Sequence, residues 1–389
     1  MKILTDSTNW IQDLHDKPGF MTSVLTDVID RSVFILNTDF SMPNSYDNVF
    51  SQKTVFKNIR PHIETHLDDI RAGRTKLVFL MQDFWATRRE DEIDEEINTG
   101  CIHTYDIYNW IYPQLKELGI LEHTSFSGPL NTDNVKQHDD FPIHQWNYSF
   151  SIYTEVKKLN IELSTKHDKL FLWLNRRPRD HRIVAYYYML KAGLLNEDFA
   201  HYTFHAYDEN DAFGDPVEFL RTEIRNMFGE TLEIKLPQCR DPYWDKEHDP
   251  EIYGKQALLD FDQIYKNCWM HVISEYNCND LKPYIDEKIA KSIVLKKPFI
   301  IFGDRRFLAE LKRHGFRTFD EFWDEGYDEL PTYNERAQAA VNVIDWIKDN
   351  IDWNSEYSQR MSEILEHNYQ HYFTTYRDAE LNRLIEIFK

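Results

Sequence analysis

The sequence predicts an α/β fold of two domains built on parallel sheets, followed by a C-terminal helical segment. Three observations predict it. At 389 residues the chain exceeds what a single core usually spans. Short apolar runs alternate with polar stretches of helical spacing. From Tyr333 onward nearly everything reads as helix. Hydrophobic residues at 42% and aromatics at 15% supply apolar mass for two cores. The 12 glycines form no Gly/Ser tract and no Pro-rich tract occurs, which excludes low-complexity and disordered classes.

Residues 1–160 form the expected first domain. Its Met-Lys-Ile-Leu opening reads as an edge or first strand, and 32–36 (SVFIL) and 76–81 (KLVFLM) as buried strands. Stretches 58–71 and 104–118 have helical spacing, 83–96 is an acidic exposed segment, and 123–147 is expected to be an irregular connection. The pattern is sharper over 161–332. Strands are expected at 169–174 (KLFLWL), 202–205, 233–236, 269–273 (WMHVI) and 298–302 (PFIIF), with helices at 181–195, 215–228, 285–296 and 304–314. Gly315 is placed to close the last of these. Strand, loop and helix in repetition indicate a doubly wound parallel sheet. Residues 333–389 form the helical tail, expected to pack back across the domains, and no internal repeat is present.

The net charge is −21, which weighs against nucleic acid as a partner because phosphate backbones are held by clustered cations. No run of 18 apolar residues exists to span a membrane, and the N-terminus lacks a signal-peptide core. The four cysteines (Cys101, Cys239, Cys268, Cys278) match the spacing of no zinc site or disulfide framework. A reducing, cytoplasmic location is therefore expected. Two basic islands stand out against the acidic whole. Between Lys282 and Arg317 there are ten Lys/Arg and four Asp/Glu, a local +6, and Arg176 to Arg182 holds four arginines and one aspartate.

These islands carry the candidate chemistry. Asn175-Arg176-Arg177-Pro178-Arg179-Asp180-His181-Arg182 falls between a strand and a helix, where open α/β sheets bind ligands. Guanidinium forks and a helix N-terminus both suit phosphate. Exposed ion pairs are the plainer reading, but four cations at a helix start oppose its dipole. Ser274-Glu275 closes a second strand, and Asp286-Glu287-Lys288 opens the helix after it. A carboxylate there can hold ribose hydroxyls and a lysine can neutralise a diphosphate; helix capping is the alternative for Glu287. Gly303 is expected to let the backbone turn sharply at a ligand-facing strand end.

In this order the residues resemble the donor-binding half of GT-B glycosyltransferases, in particular the fucosyltransferase-like and exostosin-like groups. Those carry a serine-glutamate or similar pair at a strand end, a Thr-Glu-Lys element opening a helix, and a Pro-hydrophobic-Gly strand. The matching pieces are Ser274-Glu275, Asp286-Glu287-Lys288 and Pro298 to Gly303, with Gly315-Phe316 downstream, within residues 169–330. Asp286 replaces the threonine, and Tyr276-Asn277 departs from the fuller fucosyltransferase pattern. The resemblance implies two Rossmann-like domains in a GT-B-like arrangement, with 1–160 on the acceptor side and 161–332 binding a nucleotide-sugar donor. It implies sugar transfer to a carbohydrate or other hydroxyl acceptor. It assigns Glu287 to the ribose, Lys288 to the diphosphate and arginines of the 176–182 loop to the phosphates.

Such a transfer needs cations for the leaving diphosphate, available here from Arg176, Arg177, Arg179, Arg182 and Lys288 without a metal. An inverting reaction also needs a base. Asp6, Asp39 and Asp83 each follow an expected strand, with Glu90 and His103 near, and Asp83 is preferred because KLVFLMQ leads to it. Each of these aspartates can equally be a cap or turn residue. Asp260-Phe261-Asp262 spells a metal-binding D-x-D, but a helix there turns the two carboxylates apart. His138-Asp139-Asp140 and His144 read as a polar loop, so neither metal nor cofactor is expected. P-loop, G-x-G-x-x-G, G-x-S-x-G and H-E-x-x-H motifs are absent, so kinase, Rossmann dehydrogenase, α/β-hydrolase and zincin readings lose their main support. Two alternatives stay open: a non-catalytic binding protein for a phosphorylated or carbohydrate ligand, and sugar transfer to modified nucleic-acid bases.

Overall fold

The computed structural model describes residues 3–5, 32–37, 60–80, 112–128, 143–145, 162–204, 215–236 and 265–388, less 62, 164–165, 176–177, 276–277, 279–282, 284 and 286. The chain divides into two compact units, one of residues 1–155 with 377–389 and the other of residues 156–376.

The first unit contains a parallel sheet of β1 (Ile3–Thr5), β2 (Ser32–Asn37), β3 (Thr75–Leu80), β4 (Thr124–Gly128) and β5 (Ile143–Gln145), in that spatial order. All pairings are parallel, with Ile3 opposite Val33, Val33 opposite Lys76 and Leu77 opposite Thr124. β3 is buried on both faces, Leu77, Val78 and Phe79 each being 0% exposed, as a central parallel strand should be. α1 (Leu67–Arg71) packs on β3 and buries Ile70, and α2 (Tyr112–Glu117) packs on the 3-10 turn Leu121–His123 before β4 and buries Leu115. The opening strand is at the sheet edge, as expected. The segment 123–147 is not wholly irregular, since it carries β4 and β5. TSFSG and IHQ are too short and polar to register as apolar runs, and pairing with β3 makes them strands.

The second unit contains β6 (Lys169–Asn175), β7 (Ala200–Phe204), β8 (Cys268–Ser274) and β9 (Phe299–Phe302), all parallel, in the spatial order β7-β6-β8-β9. From β6 the chain goes out to β7, then returns to the other side for β8. That reversal makes the sheet doubly wound and puts a topological switch point between the carboxyl ends of β6 and β8. Among the described residues the helices are α3 (Asp180–Lys191), α4 (Pro216–Phe228), α5 (Glu287–Val294), α6 (Phe307–Arg313), α7 (Tyr333–Asn350) and α8 (Gln359–His371). Trp173 anchors the core, its ring 6.1 Å from both Phe204 and Phe302, with Tyr186 of α3 4.8 Å from Phe204. A π-helical turn, Tyr372–Tyr376, leads to α9 (Arg377–Phe388), which packs on β3, β4 and β5 of the first unit.

Local chemistry sets the boundaries. Asp215 caps α4 by accepting from the N–H groups of Val217 and Glu218, with Pro216 at the first helical position. Thr332 and Glu335 form a reciprocal capping box at α7. α6 starts at Phe307 and not at 304, because Arg306 is left-handed (φ 65°) and the Asp328 carboxylate accepts from Leu308 and Ala309 N–H. Residues 231–236 form no strand. The Tyr186 hydroxyl donates to Lys235 O at 2.7 Å and accepts from Lys235 N at 3.1 Å, taking the place of a neighbouring strand.

Candidate functional site

Ligands of doubly wound sheets bind at the carboxyl ends of the strands beside the switch point. Here that edge is made by Asn175 at the end of β6, Ser274-Glu275 at the end of β8, and Gly303-Asp304 after β9. All but Gly303 are polar, and each of those polar residues is at most 4% exposed. Ser274 Oγ accepts from the Trp173 indole at 2.9 Å, which fixes it within the sheet. Glu275 is 2% exposed, and its backbone carbonyl accepts from His181 Nε2 at 2.9 Å and from Arg182 Nη2 at 3.0 Å. Two hydrogen bonds thus fasten the start of α3 to the end of β8.

Gly303 serves by close packing and not by an unusual φ. A Cβ there would lie 3.0 Å from Ile301 Cγ2, 3.2 Å from Phe307 Cδ2 and 3.3 Å from Glu275 Cγ. Arg336, on the first turn of α7, donates to the carbonyls of Gly303 at 3.3 Å, Leu330 at 2.9 Å and Pro331 at 3.2 Å, tying α7 to the end of β9.

The edge carries both signs of charge: Glu275 and Asp304 are buried carboxylates, and three cations stand at the starts of α3 and α5. Arg179 is half-buried at the N-cap of α3, Arg182 is buried one turn later, and Lys288 is half-buried in the first turn of α5. His181 feels all three charges. Burial, then Arg182, then Arg179 and Lys288 hold its pKa down at about 3, against the raising effect of the Glu275 carbonyl. The imidazole is therefore neutral, and its bond to a carbonyl puts the proton on Nε2. Lys288 with Lys291 also helps burial keep His271 neutral. The half-buried Arg179 and Lys288 can offer positive charge to an anion, with Arg182 and the neutral imidazole in the framework behind them.

Segments about a hundred residues apart in sequence therefore converge: Arg179 and Arg182, Ser274 and Glu275, and Lys288. Glu287 opens α5, and its backbone alone is described. Arg176, Arg177 and Asp83 lie outside the described residues, as do Asp286, the 260–262 motif and 138–140. Among the described residues no cluster of three His, Cys, Asp or Glu could hold a metal ion, and no helix is long and apolar enough to cross a membrane. Sequence reasoning assigned no role to Asn175, His181 or Arg336. Arg336 had a readable signal, since it falls on the apolar stripe of α7 with Ala340 and Ile344. Asn175 did also, as the amide that ends the apolar run KLFLWL.

No protein-family model matches the chain, and no curated protein does. Among solved structures it is similar to T4 phage BGT in complex with UDP and Mn2+, at 10% identity over 95% of this chain and 86% of that one, with a TM-score of 0.38. It is also similar to a structure described as trehalose-6-phosphate from E. coli bound with UDP-2-fluoro glucose (10% identity, 94% and 76% covered, TM-score 0.44). A third is a glycosyltransferase from Rickettsia africae ESF-5 (12% identity, 100% and 97% covered, TM-score 0.44).

Proposed function

We propose that this chain is a glycosyltransferase of GT-B-like architecture that moves a sugar from a nucleotide-sugar donor to a hydroxyl acceptor. The observation that carries the reading is the gathering of Arg179, Arg182 and Lys288 around His181 at the switch point of the second sheet. A nucleoside diphosphate leaving group develops negative charge there, and fixed cations stabilise it without reorganisation and without a metal. Arg179 and Lys288 face the phosphates, joined in this reading by Arg176 and Arg177, while Glu287 holds the ribose. Arg182, Ser274 and Glu275 set the shape of the edge through the bonds to Trp173 and the Glu275 carbonyl. Asp83 is the proposed base for the acceptor hydroxyl.

Calorimetric titration with UDP and GDP, with and without divalent metal, tests the site. Binding is expected without metal. Lys288→Ala is expected to weaken it about ten- to a hundredfold, the effect of one charge-assisted contact, while the melting temperature holds. Absence of nucleotide binding in the unaltered protein would sink the reading. Asp83→Asn separates enzyme from binding module: turnover should collapse with nucleotide affinity retained.

A further inference from the structure

We infer that Asn175 reads hydroxyl groups of the sugar carried by the donor nucleotide. The inference rests on the donor-site reading and adds a residue and the chemistry it recognises. Asn175 is 1% exposed, and neither its Oδ1 nor its Nδ2 has a hydrogen-bond partner among the described residues. Its backbone N–H donates to Thr203 Oγ1 at 3.2 Å, so the carboxamide is not drawn on to satisfy it. Buried polar groups are nearly always paired, and leaving donor and acceptor unmade destabilises the fold. Where packing alone decides, this strand uses Leu170, Phe171, Leu172 and Trp173, all 0% exposed. An amide in their line, unpaired among the described residues, is open to a partner supplied by a ligand.

Its position points to what that partner is. Asn175 pairs with Phe204 on one side, and two residues past the Trp173–Val272 pair it comes level with Ser274 on the other. It is therefore on the β6 side of the switch point, at the start of the connection to α3. That helix has 12 residues and no side-chain hydrogen bond at its N-cap. The N–H groups of Arg182 and Ile183 turn back to Arg179 O, which leaves those of Asp180 and His181 outside the helical ladder. Together with Arg179 and Lys288 they make the anion-binding side of the site. The carboxamide is different in kind, being neutral and carrying donor and acceptor side by side. A phosphate offers only acceptors and would set its charge against Oδ1. A sugar hydroxyl offers both functions, and a vicinal pair can donate to Oδ1 and accept from Nδ2 together.

The test compares each bare nucleoside diphosphate with its own sugar conjugate. The probes are UDP against UDP-glucose and UDP-N-acetylglucosamine, and GDP against GDP-mannose. Titrations use the full chain, Asn175→Leu, which keeps the branched shape, and Asn175→Ala, which removes bulk in case the first variant misfolds. Where the unaltered protein prefers a conjugate over its bare nucleotide, both variants are expected to lose about tenfold or more of that preference. Affinity for the bare nucleotide is expected to be unchanged. Asn175→Leu should also melt no lower than the parent, because it removes unpaired polar atoms and no native bond. Variants that keep the parent's discrimination overturn the inference. So does a lower melting point with discrimination intact, the behaviour of an amide paired only to a buried water. If the parent binds no nucleotide, the donor-site reading falls and this inference with it. If the parent binds nucleotide but prefers no conjugate, or if the variants discriminate equally well, Asn175 alone is wrongly assigned.

Discussion

His181 shows how one residue's surroundings fix its chemistry. Burial and the three nearby cations lower its pKa to about 3, and burial with Lys297 lowers that of His167 to about 4. Both groups titrate near 6.5 when the chain is unfolded. The unfolded chain therefore binds protons that the folded one refuses, so their stabilising contribution is full above pH 6.5. It is lost as pH falls towards 3 for His181 and towards 4 for His167, at about 1.4 kcal/mol per pH unit for each group. Thermal or urea unfolding between pH 6.5 and 4.5 should show this slope, and His181→Gln should flatten part of it. An unchanged slope would mean that His181 is not held neutral. Gly303→Ala is a second residue-scale prediction. With a Cβ contact of 3.0 Å to Ile301 and of 3.3 Å to Glu275, it should cost about 1–3 kcal/mol in denaturant titration and displace the Glu275 side chain. The sequence named Arg182, Ser274 and Glu275 as candidates because residue type is legible in it. It did not show that Arg182 bonds a backbone carbonyl or that Ser274 faces Trp173, because side-chain direction depends on the register of strands a hundred residues apart.

Elements were legible in proportion to their burial. β6, β8 and β9 are covered on both faces, so they read as continuous apolar runs, and α4 and α7 announce their starts through Asp215-Pro216 and Thr332-x-x-Glu335. β4 and β5 were missed because TSFSG and IHQ carry no such run and owe their form to pairing. The apolar residues of 233–236 misled in the opposite sense, since a tyrosine hydroxyl from α3 satisfies Lys235. Ends of elements are where single changes should register. Gly315, after α6, has φ 87°, and a Cβ there would meet His371 Nε2 at 2.7 Å. Gly315→Ala therefore combines left-handed strain with a clash and should lower stability by about 2–4 kcal/mol. Thr332→Ala removes only one side of a capping box and should cost about 1 kcal/mol. Equal losses in the two variants, measured by chemical denaturation, would refute this ranking.

At the scale of the whole molecule the governing quantity is charge. The chain carries −21, whereas the starts of α3 and α5 in the second unit hold Arg179, Arg182 and Lys288. An anionic nucleotide approaching from far away is repelled by the sum and attracted only near the edge. Which part it feels depends on the Debye length, roughly 30 Å at 0.01 M salt and 10 Å at 0.1 M. Raising salt across that range screens the distant negative charge before the short-range contacts to the cations. The association rate of a nucleoside diphosphate, followed by stopped flow, should therefore rise between 0.01 M and 0.1 M salt, contrary to ordinary electrostatic steering. The dissociation rate should increase over the same range, because the proposed contacts to the phosphates weaken, though half-burial protects them in part. A variant with several surface acids distant from the site neutralised should associate faster at low salt and lose the rise. An association rate that falls steadily with salt in the parent would mean that the local cations dominate at all distances. The acidic composition would then have no part in access to the site.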